Sequence, residues 1–98
     1  MKERLSQEII DISLKALNNE SDNSWEIKDE KLYIEFTFPN FVSAFGFMAQ
    51  VAIIAERASH HPEWSNVYNK VKIYLTTHEV NGISKLDFEL AQEITNLI

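Results

Sequence analysis

Residues 32–38 alternate, with Leu32, Ile34, Phe36 and Phe38 apolar and Tyr33, Glu35 and Thr37 between them. A period of two puts the apolar set on one face, so the segment predicts a strand with one buried side. Val71, Ile73 and Leu75 alternate in the same way with Lys72, Tyr74 and Thr76, predicting a strand over 71–77. Shorter strands are expected over 25–28 and 64–68, with turns at Asp29-Glu30 and at Tyr68-Asn69-Lys70.

Three other stretches carry a helical period. Over 3–18, Leu5, Ile9, Ile12 and Ala16 form a stripe widened by Ile10, Leu14 and Leu17, and the polar cluster 18–24 ends it. Pro39 stops the preceding strand, and Asn40 is placed to cap a helix from Phe41 to about Ser59. That helix is apolar on two sides. Phe45, Met48, Ala52 and Ala55 make one stripe, while Phe47, Val51, Ile54 and Ala58 make the other. One sheet face covers only one stripe, so the second predicts a homo-oligomer, with cover by another helix of the same chain as the alternative. Asn81-Gly82 marks a turn. Ser84-x-x-Asp87 is a capping box that opens a last helix, with Leu86, Leu90, Ile94 and Leu97 as its buried stripe.

The resulting order is α-β-β-α-β-β-α with short connections. Paired strands in that order predict a two-layer α+β fold, a four-stranded antiparallel sheet with helices packed on one face. A chain of 98 residues suits a single domain over 1–98. The net charge of −6 argues against a nucleic-acid footprint built on Lys and Arg. The absence of cysteine excludes disulfides, thiolate nucleophiles and Cys-based zinc sites. The first residues lack the apolar core of a signal peptide. The longest mostly apolar run, 41–55, is interrupted by Ser43, Gly46 and Gln50 and is shorter than the ~20 residues that span a bilayer. A cytoplasmic protein without a membrane partner is expected.

All three histidines fall between residues 60 and 78, with Glu56 four residues before His60 and Asp87 nine after His78. Histidine changes charge near neutral pH, so this grouping suggests acid–base chemistry. His60 and His61 lie where the long helix ends, since Pro62 breaks it and biases His61 towards an extended conformation. His78 lies at the end of the fourth strand. If the helix persists, Glu56 shares a face with His60 and can orient it, while Asp87 can approach from the start of the last helix. Each residue also has a plain structural duty open to it: the histidines as cations at a helix or strand end, Glu56 as part of a solvated face, Asp87 as a cap. A zinc site matches the count of three histidines, but the adjacent pair points apart in an extended segment and no H-x3-H spacing supports it. Ser59, Ser65 and Thr76 lack any nucleophile-elbow motif.

The segments FGFMAQVA (45–52), HHPEW (60–64), NVYNKV (66–71), TTHE (76–79) and GIS (82–84) closely resemble the pterin-4a-carbinolamine dehydratases. The likeness is dense from Pro39 to about Ala91 and looser before it, and Glu35 stands where a basic residue would be expected. The resemblance implies dehydration of 4a-hydroxytetrahydropterin to quinonoid dihydropterin in tetrahydropterin recycling, with no metal and no organic cofactor. It implies His60 and His78 as the acid–base residues, on opposite sides of the site, and His61 as a holder of the pterin. Glu56 and Asp87 would tune the imidazoles, and Pro62 with Thr77, His78, Glu79 and Val80 would shape the pocket. It further implies a homodimer or homotetramer. The family is also similar to a dimerisation cofactor of a transcription factor, so a binding-only protein working through the apolar central helix is the rival reading.

Overall fold

The two alternating segments pair with each other at the centre of the sheet. In the computed structural model, which describes residues 2–19 and 24–98, β2 (Lys31–Thr37) and β4 (Lys70–Leu75) run antiparallel, with Leu32 opposite Leu75, Ile34 opposite Ile73 and Phe36 opposite Val71. β1 (Glu26–Lys28) adds to β2, and β3 (Glu63–Val67) adds to β4, so the order is β1-β2-β4-β3 with every pair antiparallel. The helices α1 (Gln7–Asn19), α2 (Phe41–Ala58) and α3 (Lys85–Thr95) complete the α-β-β-α-β-β-α order.

The apolar alternation decides which face is covered. Leu32, Ile34, Phe36, Val71, Ile73 and Leu75 share one core with Phe47, Val51 and Ile54 of α2, Leu90 and Ile94 of α3, and Ile10 and Leu17 of α1. Burying such a side chain is worth about 1.5–3 kcal/mol, so a slip of one residue in register would expose a whole strand's share. On the opposite face Glu35 lies across from Lys72, which offsets the unexpected acidic residue.

Two boundaries differ from the expectation. The first helix begins at Gln7 rather than residue 3, because Arg4 bridges to Ser84 and the Leu5 N–H donates to the Ile83 carbonyl at 2.9 Å. Ser6 caps the helix instead, its Oγ accepting from the Ile9 N–H. The helix also turns Ile10, Leu14 and Leu17 inward, leaving Ile9, Ile12 and Ala16 exposed, so the widening residues form the buried stripe. Its ending in the polar cluster falls partly on residues 20–23, outside the described residues. The fourth strand stops at Leu75, and Thr77 turns aside to bridge Gly82.

The second helix starts at Phe41, with Asn40 Oδ1 accepting from the Ser43 N–H at 2.8 Å. Its inward face is Ala44, Phe47, Val51, Ile54 and Ala55; the other side leaves Phe45 58% and Ile53 68% exposed beside Phe41 and Val42. Ala55 and Ala58 thus exchange the faces expected of them. Among the described residues α2 is the one helix long and apolar enough to cross a membrane, yet its inward stripe is sealed against the sheet.

Candidate active site

The end of α2 directs its two histidines apart. Ser59 adopts the left-handed conformation (φ 53°, ψ 38°), its N–H turning back to the Ala55 and Glu56 carbonyls. The chain then drops inward at His60 and runs out again at His61. His60 is 7% exposed, and its Nε2 lies 2.6 Å from Asp87 Oδ1. Asp87 is fully buried; its Oδ2 accepts from the Ser84 N–H at 2.9 Å and from the Thr77 hydroxyl at 2.8 Å. Thr77 has only one proton to give, so in its 2.7 Å contact with Ser84 it accepts, and the Ser84 hydroxyl donates. Each donor points towards Asp87. With Oδ1 accepting, His60 donates from Nε2 and keeps Nδ1 for another partner.

His61 is exposed, and its Nε2 meets Glu56 Oε1 at 2.8 Å. The expected Glu56–His60 pairing is therefore corrected: the left-handed turn at Ser59 ends the i, i+4 geometry, and the carboxylate reaches the next imidazole.

His78 opens a single 3₁₀ turn, His78–Val80, held between Thr77 and Gly82 by the Thr77 N–H to Gly82 carbonyl bond at 2.9 Å. Its ring is 77% exposed and bonds through Nε2 to Glu63 Oε2 at 2.9 Å. Glu63 Oε1 in turn accepts from Lys31 Nζ at 2.5 Å. The Lys31 hydrogen bond, assisted by that of His78 and opposed by partial burial, holds the Glu63 carboxyl below its ordinary value of 4.5. Sequence reasoning missed Glu63 and Lys31. Glu63 stands inside HHPEW, but Lys31 is 32 residues away and meets it only once β2, β4 and β3 are assembled.

Of the remaining expected site residues, Pro62 and Val80 are half-buried. The exposed Glu79 pairs with Lys2, and that hydrogen bond holds its carboxyl below the ordinary value. Thr77 is fully buried with its hydroxyl committed to Asp87, so it underlies the site rather than lining it. A cleft of about 400 Å³ between α2 and α3 is lined by His60, Ala58, Leu86 and Leu90, and its size suits a small molecule. Among the expected site residues only His60 reaches it. The three imidazoles face three different carboxylates, and among the described residues no three His, Asp or Glu side chains gather in a metal-holding group.

The profile of the family described as Pterin 4 alpha carbinolamine dehydratase matches residues 3–97. The chain belongs to that family. A provisionally named pterin-4-alpha-carbinolamine dehydratase of Prochlorococcus marinus (strain NATL2A) is 51% identical over 79 residues, 81% of this chain and 83% of the relative. One of the same name from Jannaschia sp. (strain CCS1) is 48% identical over 85 residues, 85% and 87% of the two chains. The crystal structure of a transcriptional coactivator/pterin dehydratase from Brucella melitensis superposes with a TM-score of 0.87 at 41% identity, covering 96% of this chain and 97% of that one. The α+β fold with four antiparallel strands is thus that of a carbinolamine dehydratase family member.

Proposed function

We propose that this dehydratase-family protein removes water from 4a-hydroxytetrahydropterin, giving quinonoid dihydropterin, with His60 and His78 as the acid and base that exchange protons with the substrate. The observation that carries the reading is the set of imidazoles, each bonded through Nε2 to its own carboxylate, at the end of the sheet where β3 begins and β4 finishes. Carboxylate partners fix each ring and leave Nδ1 for proton transfer. In the reaction the pterin N5 lone pair forms the new C=N bond as the C4a–O bond breaks. Hydroxide leaves poorly, so one imidazolium donates a proton and the group departs as water. The other imidazole collects a proton from the pterin nitrogen system, and substrate equals product plus water.

His61, steadied by Glu56, holds the pterin in this scheme, and Asp87 orients His60. Pro62 and the 77–80 segment shape the mouth. The scheme draws on imidazoles and carboxylates alone, in one domain spanning residues 1–98 of a cytoplasmic protein. The exposed stripe of α2 supports assembly into a homodimer or homotetramer. Stopped-flow measurement with enzymatically generated substrate tests the reading. His60→Ala and His78→Ala should each lower the rate by about 10²–10⁴-fold. Wild-type rates in both variants, or no acceleration over the spontaneous reaction by folded wild-type protein, would sink it.

The apolar α2 face also supports a second reading, docking of a transcription factor's helical dimerisation domain. There the same histidine substitutions should leave binding unchanged, whereas Ile53→Glu should abolish it.

A further inference from the structure

We propose that Glu63, braced by Lys31, is the positioning residue that fixes the His78 ring and makes Nδ1 its proton-transfer atom. This deepens the acid–base reading above and rests on it. Glu63 opens β3 on the uncovered face of the sheet, opposite Tyr74, while Lys31 opens β2 with β4 lying between the two strands. One carboxylate therefore joins two strands and the turn that follows the third. Its two oxygens are divided, Oε1 to Lys31 and Oε2 to His78.

Lysine only donates, so it claims Oε1 as an acceptor. The Glu63 carboxyl, held below its ordinary 4.5, is ionised at neutral pH, and an ionised carboxylate only accepts. Nε2 of His78 must then carry the proton in that contact. What remains for a substrate is Nδ1, as a lone pair in the neutral ring or as N–H in the cation. His78 needs this help more than His60 does: it stands on one short turn with little packed around it, and an unheld ring would sample several rotamers. Exposed ion pairs of this kind add little to stability. The arrangement accordingly serves orientation, and its loss should be visible in turnover rather than in folding.

The test compares full-length wild type, Glu63→Gln, Lys31→Met, His78→Ala and the Glu63→Gln/His78→Ala double variant. Glu63→Gln should lower kcat by roughly ten- to a hundredfold with KM nearly unchanged, the loss expected when a reacting group is mispositioned. Lys31→Met should fall in the same direction by less. In the His78→Ala background Glu63→Gln should cost nothing more, because its effect passes through that ring. A wild-type kcat in Glu63→Gln, with His78→Ala impaired, overturns the positioning role alone. So does an equal loss with and without His78. A wild-type rate in His78→Ala overturns the acid–base reading and this proposal together.

Discussion

Asp87 occupies the third position of α3, where its Oδ2 accepts from the Ser84 N–H while its Oδ1 faces His60. One side chain therefore caps a helix and holds an imidazole, and the two duties can be separated by energy. Loss of a cap alone costs about 1 kcal/mol. Asp87→Ala would also strand His60 Nε2 and the Thr77 hydroxyl in a buried setting, each at ~1–3 kcal/mol. A urea titration should show at least ~3 kcal/mol lost; a loss near 1 would mean that the capping contact alone matters. The capping box was legible in the sequence because Ser84 and Asp87 are three residues apart and belong to one local motif. Which carboxylate meets which imidazole was not. Helical spacing pointed to Glu56, and only the left-handed backbone of Ser59 redirects that carboxylate to His61.

Elements reach the site through contacts that no single segment encodes. The strands and α2 were readable from periods of two and of about 3.6, since one buried face forces each pattern. The start of α1 was not, because residues 2–5 are drawn off to the turn that carries His78. Lys2 pairs with Glu79, Arg4 packs on Gly82 so tightly that a Cβ there would lie 2.8 Å from its Nε, and Leu5 bonds Ile83. Removing residues 1–4 should speed hydrogen exchange at the Thr77 amide about fivefold, the effect of losing roughly 1 kcal/mol. An unchanged rate would show that the turn holds itself. The Lys31–Glu63 link between strands makes a pH-dependent prediction. The folded-state pKa of Glu63 is depressed, so its contribution is present above the ordinary 4.5 and is lost as pH falls through the lower folded value. The small difference in urea midpoint between wild type and Lys31→Gln should therefore be largest above pH 4.5 and shrink as pH falls through that lower folded value. A gap that does not change with pH would rule out the ion pair as its source.

For the whole molecule, the decisive surface is the outer side of α2. Phe41, Val42, Phe45 and Ile53 are largely exposed there, around Gly46, which has open space where a Cβ would stand. Covering these side chains on both copies of a symmetric pair offers on the order of 10 kcal/mol. Association itself costs about 4–15 kcal/mol. The balance is close enough that one buried charge decides it, so Ile53→Glu should sediment as a monomer at concentrations where wild type is assembled, with its helical circular dichroism intact. Gly46→Ala gives the opposite comparison. In an isolated α2 it should stabilise by about 0.5–1 kcal/mol, because glycine is a poor helix former. If a neighbouring helix approaches over Gly46, the added methyl intrudes on that contact and weakens assembly while strengthening the monomer. Sedimentation velocity and thermal melts of the two variants separate these effects. Wild-type protein that stays monomeric at tens of micromolar would remove the assembly altogether, leaving the apolar stripe to be explained by a different partner.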